Sequence, residues 1–313
     1  TVEERLDELL ETVEEMLEQK QYADLRDLLV PLEAADIAVL FDDLDDRVPI
    51  LFRLLPKELA AEVFVELESD AQELLIKGFS NAELKEVLDE LYLDDTVDIV
   101  EEMPANVVRR ILAQADPEMR KSINQILRYP EYSAGSIMTT EYVSLPASAT
   151  VEDAFEKIRR QGVNKETVYT CYVTDAKRRL LGFLTIRTLL LAEPEQSIEE
   201  LMETNIIFAN TLDDREEVVH LFDKYDLLAI PVVDAENRLV GIVTVDDAMD
   251  VIQEETTEDL EMLAAITPSG DKPYLKSSVW EIFLSRIPWL LLLMLSATFT
   301  GMIIASYEQK LTL

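Results

Sequence analysis

The chain has 313 residues, 64 acidic and 28 basic, with a formal net charge of −36. Such a charge repels phosphate backbones and attracts cations, which excludes nucleic acid as a partner. A hydrophobic content of 48 % excludes wholesale disorder, and the length points to two or three domains. The single cysteine, Cys171, excludes an internal disulfide and fits a reducing compartment. The single histidine, His220, excludes multi-histidine metal sites. With no Walker loop, GxGxxG or HExxH motif, an enzyme is not expected.

Thr1 is not methionine, so residues before it are expected. From Thr1 to about Tyr129 the pattern is helical. Leu6, Leu9, Leu10, Val13 and Leu17 recur at helical spacing, and Pro31, Pro49, Pro56, Gly78 and Pro104 break the later helices. "PKELAAEVFVEL" (56–67) and "NAELKEVLDEL" (81–91) repeat at an offset of about 25 residues, the length of a helix pair. An α-helical solenoid is predicted for 1–130.

Near Tyr132 the periodicity changes. "YTCYV", "LLGFLTI", "AIPVV" and "LVGIVTV" read as strands, alternating with helical runs such as "VEDAFEKIRRQ" and "REEVVHLFDKY". "SIMTTEYVSLPASATVEDAFEKI" (136–158) overlays on "ELMETNIIFANTLDDREEVVHLF" (200–222). "YVTDAKRRLLGFLTIRTLL" (172–190) overlays on "PVVDAENRLVGIVTVDDAM" (231–249). Two β-α-β-β-α units of about 55–60 residues are predicted, each covering the other's open sheet face.

The paired units resemble tandem CBS domains, with "GIVTVDD" (241–247) as the strand–Thr–x–x–Asp ending of that module. "LLPKELAAEVFVEL" (54–67), "LYLDDTVDIVEEM" (91–103) and "YSAGSIMTTEYVSL" (132–145) narrow the match. Together they resemble the cytosolic portion of MgtE-type magnesium transporters. The resulting multidomain α and α/β architecture is a helical N domain over 1–130, tandem CBS domains over 131–252, an acidic connecting helix and linker over 253–284, and a first transmembrane helix over 285–313.

"IPWLLLLMLSATFTGMIIASY" (287–307) holds no charge over 21 residues, enough at about 1.5 Å per residue to span a ~30 Å hydrocarbon core. Lys272, Lys276 and Arg286 precede it and Glu308 follows, which puts 1–285 in the cytoplasm and the protein in the cell membrane. Trp280, Trp289 and Tyr307 suit the interfaces. Ser296, Thr298, Thr300 and Gly301 suit a face packed on other helices. One span encloses no pore, and the resemblance implies that the chain is a fragment of a multi-pass protein.

"VDDAMDVIQEETTEDLEML" (245–263) carries eight carboxylates and no base. As a helix it sets Met249, Ile252, Thr256, Leu260 and Leu263 in one stripe. Asp247, Asp250, Glu254, Glu258 and Glu261 form the neighbouring stripe. Further acids cluster in "LDDTVD" (Asp94, Asp95, Asp98), "LDDREE" (Asp213, Asp214, Glu216, Glu217) and "DKYD" (Asp223, Asp226). Oxygen donors without Cys or His favour Mg²⁺ or Ca²⁺, and no cluster fits an EF-hand loop. Two carboxylates ~5 Å apart repel by about 3 kcal/mol at an effective dielectric near 20. Acids meeting across domain interfaces would push the domains apart until Mg²⁺ bridges them.

The resemblance implies that magnesium joins the N domain, the CBS pair and the connecting helix, and holds a dimeric channel closed. Carried over by motif, its ligands are Glu62 in "AAEVF", Asp94 and Asp98 in "DDTVD", Glu216 in "REEVV", and Asp223 and Asp226 in "DKYD". Asp247, Asp250, Glu255, Glu258 and Asp259 on the connecting helix complete the set, with a backbone oxygen as the alternative donor at Asp223 and a backbone oxygen from Gly135 in "SAGSIM". A homodimer and contact with the lipid bilayer through 287–307 are implied. CBS pairs also bind adenine nucleotides. Thr244 and Asp247 fit the ribose-contacting pattern for ATP, whereas the first repeat has Thr188 at the aspartate's place. Two alternatives stay open: a nucleotide-sensing CBS regulator anchored to a membrane partner, and a scaffold whose acidity only keeps it soluble.

Overall fold

The computed structural model describes residues 2–42, 44, 47–264, 266 and 278–311. Its N-terminal part comprises α1 (Val2–Glu18), α2 (Tyr22–Leu29), α3 (Ala34–Asp42), α4 (Val48–Phe52), α5 (Lys57–Glu66), α6 (Ser69–Gly78), α7 (Asn81–Leu88), α8 (Leu93–Glu102), α9 (Ala105–Gln114) and α10 (Pro117–Ile126). The repeat anticipated at about 25 residues has a period of 24: α5, α7 and α9 start at positions 57, 81 and 105, and α6, α8 and α10 at 69, 93 and 117.

Each restart has a local cause. Pro56 and Pro104 stand at the N-caps of α5 and α9, where a missing N–H does no harm. Ser80 and Glu83 form a reciprocal capping box on α7, with Ser80 N–H donating to Glu83 at 2.7 Å. Asp116 accepts from the backbone of Glu118 and Met119 at 2.7 and 2.9 Å on α10. Successive units stack, α3 on α5, α5 on α7 and α7 on α9. The shared core runs from Val13 through Phe64 to Ile126. Phe52, Phe64 and Phe79 meet at its centre with ring centroids 5.4–6.3 Å apart.

The second part contains β1 (Val143–Pro146), α11 (Val151–Gln161), β2 (Thr170–Thr174), β3 (Leu180–Thr185), α12 (Ile186–Leu191), α13 (Ile198–Leu201), β4 (Ala209–Asn210), α14 (Arg215–Tyr225), β5 (Ala229–Val233) and β6 (Leu239–Thr244). The repeat shows as two three-stranded sheets of one topology. β1 runs parallel to β2 and β2 antiparallel to β3; β4 is parallel to β5 and β5 antiparallel to β6. Even the register shift recurs, at Val173/Thr174 and at Val232/Val233.

Each sheet also receives a segment that precedes the other repeat. Thr139 pairs with Ile242, and Glu203 with Phe183. Two strand glycines permit the crossing. A Cβ on Gly241 would meet Met138 Sδ at 2.6 Å and Thr139 O at 2.8 Å, and one on Gly182 would meet Glu203 O at 2.8 Å. The repeats join further where Leu180 N–H donates to Asn237 O and Leu239 N–H to Arg178 O, at 3.1 and 2.9 Å.

Two long helices follow, α15 (Val245–Leu263) and α16 (Val279–Leu311). The boundary expected at 252/253 falls inside α15, because nothing between Thr244 and Ala264 breaks the helix. The stripe from Met249 to Leu263 faces outward: Met249 is 65 % and Leu263 84 % exposed, while Ala248 and Val251 are buried. The small and β-branched side chains, not the large ones, fit against α14 and β6.

Within α16, Ile282–Tyr307 is long and apolar enough to cross a membrane, with a mean hydropathy of 2.0. This stretch begins five residues before the expected span and so takes in Arg286. Boundary 284/285 likewise lies inside α16. Thr298 and Thr300 donate their hydroxyls to the carbonyls of Met294 and Ser296 at 2.7 and 2.9 Å, which satisfies them within the helix. Lys272 and Lys276 lie outside the described residues.

Candidate metal-binding interface

The sequence of α8 alternates two kinds of surface. Leu93, Val97 and Val100 enter the core, and Asp94, Asp98 and Glu102 recur at four-residue spacing on another face. On α15, Asp247, Asp250 and Glu254 form a similar row. The rows feel each other. Burial first, then Asp247, Glu166 and Asp95, push the Asp94 carboxyl well above the usual carboxylate range. Burial and then Asp247 raise Asp98 likewise. Glu254, raised by burial, also senses Glu102. Asp94 is 8 % exposed. Asp98 keeps the accessible surface of an exposed residue, although enough protein surrounds its carboxyl to raise it.

Asp247 opens α15. Its carboxylate accepts from Thr244 N–H at 3.3 Å and from the Thr244 hydroxyl. Burial nevertheless lifts it to about 6, against the pull of those bonds. Its counterpart in the first repeat is a Thr–Thr pair, with Thr185 and Thr188 hydroxyls 3.0 Å apart and no carboxylate. Asp250 is raised by burial and then by Asp246.

Two loop acids of the first repeat enlarge the group. Glu141 is raised by burial, with Lys165 pulling it down. Burial, then Asp246, Asp95 and Asp247, push Glu166 up to about 8, and its enclosed Oε2 has no hydrogen-bond partner. Asp95 reaches about 7, from burial and then Asp247. Sequence reasoning noticed Asp95 within "LDDTVD" but missed Glu141 and Glu166 as site residues. Each of those is an isolated loop acid with no periodic signal.

Glu255 is brought to a cation instead. Arg215 Nε and Nη2 both donate to Glu255 Oε1, at 3.2 and 3.0 Å. Arg215 Nη2 also lies 3.1 Å from Glu254 Oε2. The guanidinium sits over the Tyr132 ring, 4.9 Å from its centroid. The other expected ligands lie on several elements. Glu62 lies exposed on α5, and Glu216 and Asp223 on α14. Asp226 caps α14 in the left-handed region at φ 51°, which a short Asp tolerates. Glu258 is half-buried and Asp259 exposed farther along α15. Gly135 is buried, its N–H donating to Thr211 O at 3.0 Å, and a Cβ there would lie 2.8 Å from that oxygen.

The donor set is wholly oxygen. No three of the described acidic, histidine or cysteine side chains converge as a ready-made metal cage. Oxygen donors of this kind suit hard divalent cations, and Mg²⁺ keeps several waters and accepts one or two carboxylates.

Comparison with known proteins agrees with this architecture. Residues 32–132 match the MgtE intracellular N domain, and residues 134–195 and 198–254 match the CBS domain. The magnesium transporter MgtE of Thermus thermophilus is 36 % identical over 97 % of this chain and 68 % of its own length. That of Bacillus subtilis is 33 % identical over 97 % of this chain and 67 % of its own. Among solved structures, the cytosolic domain of the Mg²⁺ channel MgtE in complex with ATP superposes with a TM-score of 0.73 at 37 % identity. It covers 77 % of this chain and 99 % of that one. The soluble part of a magnesium transporter gives 0.71 at 30 % identity, covering 80 % and 99 %. A helical N domain, a CBS pair and a membrane-competent helix in one order, on a chain this similar to its relatives, place it in the MgtE family of magnesium transporters, whose cytosolic regulatory region it carries.

Proposed function

We propose that this region senses cytosolic Mg²⁺ and gates ion passage through the membrane part of the protein. The carrying observation is the approach of Asp94 and Asp98 on α8 to Asp247 on α15: all three carboxyls are raised by burial, and Asp247 raises the other two further. A bound divalent cation supplies the positive charge that these acids lack. With it, the α8 and α15 rows attract a common centre and dock; without it, they repel and the two rows part. Moving such an equilibrium from 1:99 to 99:1 takes about 5.5 kcal/mol of differential binding, within reach of several weak sites acting together. α15 leads toward α16, so its position can act on a pore. The docked arrangement is the closed state of a homodimer that contacts the bilayer through 287–307, with 1–285 on the cytoplasmic side.

Mg²⁺ titration of protease protection tests this. Cleavage within α15 should fall at millimolar Mg²⁺, and the radius of gyration of residues 1–264 should shrink from EDTA to excess Mg²⁺. Identical radii in both would end the proposal. A second reading is ATP binding at the CBS pair. It is supported by the ATP complex of the related cytosolic domain and by the Thr244–Asp247 pair at the start of α15. It predicts protection by ATP in the absence of Mg²⁺.

A further inference from the structure

Arg215 is a cation of the interface that cannot diffuse away. Arg215 stands at the start of α14, with its side chain only 14 % exposed. It reaches Glu254 and Glu255 on α15, and it draws down Glu101 on α8, whose carboxyl burial and Glu131 otherwise raise. The guanidinium thus joins α14 of the second CBS repeat to α15 by direct contact, and its charge reaches Glu101 on α8 of the N domain. The Tyr132 ring braces it from the segment joining the N domain to the CBS pair. A guanidinium so stacked and so paired is pre-organised and always charged.

We infer that Arg215 is a tethered counterpart of the bridging cation, holding the middle of α15 in place whether or not Mg²⁺ is present. The two ends of the α8–α15 interface then differ in kind. Near Asp94, Asp98 and Asp247 the acids depend on an exchangeable ion. Around Glu101, Glu254 and Glu255 the positive charge is built in. α15 accordingly stays on the second CBS repeat when Mg²⁺ is withdrawn, held by Ala248, Val251 and the Arg215 clamp, and the Asp94–Asp98 side of the interface parts from it. Arg215 is a positioning residue, and it shortens the list of acids that need an ion, Glu255 above all.

This rests on the proposed Mg²⁺ sensing, and hydrogen exchange on the full chain separates the two. Native protein, Arg215→Met and Glu255→Gln are compared in EDTA and in excess Mg²⁺. Arg215→Met keeps an apolar stem against Tyr132 and removes the charge; Glu255→Gln removes the charge of the partner that accepts both hydrogen bonds and leaves Glu254 and the stack. In EDTA, native amides over 252–258 should stay protected, and both variants should lose protection by about tenfold, a usual scale for one charge-assisted contact. Excess Mg²⁺ should restore Arg215→Met, whose carboxylates are then free to take the ion. Native-like protection of both variants in EDTA would overturn the clamp. So would a loss in Arg215→Met that Mg²⁺ leaves unrepaired, which marks a packing role alone. If native amides over 93–102 ignore Mg²⁺, the sensing proposal fails, while the EDTA contrast still decides the clamp.

Discussion

Asp247 has two sets of partners. As the third residue of α15 it accepts the cap bonds of Thr244, and as an interface carboxyl it faces Asp94 and Asp98. Asp247→Asn keeps a cap acceptor and removes the charge. The Mg²⁺ midpoint for protease protection should then rise roughly fivefold, the factor given by about 1 kcal/mol of lost coupling. Asp250→Asn should move it the same way, and unchanged midpoints in both would remove α15 from the proposed sensor. At this scale the sequence was partly legible. Asp94, Asp98, Asp247 and Asp250 repeat at helical spacing, so a shared face could be read directly. Glu141 and Glu166 could not be read: they lie in loops, and only the folded chain carries them to α8 and α15. Glu255 was legible as an acid of the helix but not as the partner of a residue forty positions earlier.

Among the elements, the two repeats show what periodicity can and cannot establish. Their matched strands, turns and register shifts follow from matched sequence. The swap of leading segments does not, because it depends on which sheet edge lies nearer. Gly241 is where the swap is most exposed to test. Gly241→Ala would drive a methyl into Met138 and the Thr139 carbonyl. Overpacking of this kind costs about 1–3 kcal/mol, so calorimetry should show a melting temperature several degrees lower. Gly78→Ala, with open space around it, should not show that loss. The outward stripe of α15 teaches the complementary lesson. Amphipathic spacing identifies two faces, but the surface offered by α14 and β6 selects the one that is buried.

For the molecule as a whole, the buried acids link docking to pH. Asp94, Asp95, Asp98 and Glu101 come from α8, Glu141 and Glu166 from the first repeat, and Asp247, Asp250 and Glu254 from α15; Lys165 and Arg215 are the cations that moderate them. A carboxyl with a raised pKa in the docked state binds extra protons there. Its contribution is fully present below the ordinary value near 4 and is lost as pH rises through the docked values. For Asp247, Asp95 and Glu166 those are about 6, 7 and 8. In metal-free buffer, hydrogen exchange over 93–102 and 245–251 should therefore be slower relative to the intrinsic rate at pH 5 than at pH 8. In excess Mg²⁺ the difference should shrink, because the ion replaces the proton at these carboxylates. Equal protection at both pH values without metal would contradict the linkage.

The sequence by itself determined the helical repeat, the paired α/β units, the acidic helix and the membrane-competent stretch. Each of these is written in local periodicity, capping residues and breakers, which act within a few turns of chain. The tertiary structure decided which carboxylates come near one another, which one meets Arg215, and which face of α15 turns outward. Those outcomes depend on distances between residues remote in sequence, and no local pattern encodes a distance that only packing creates.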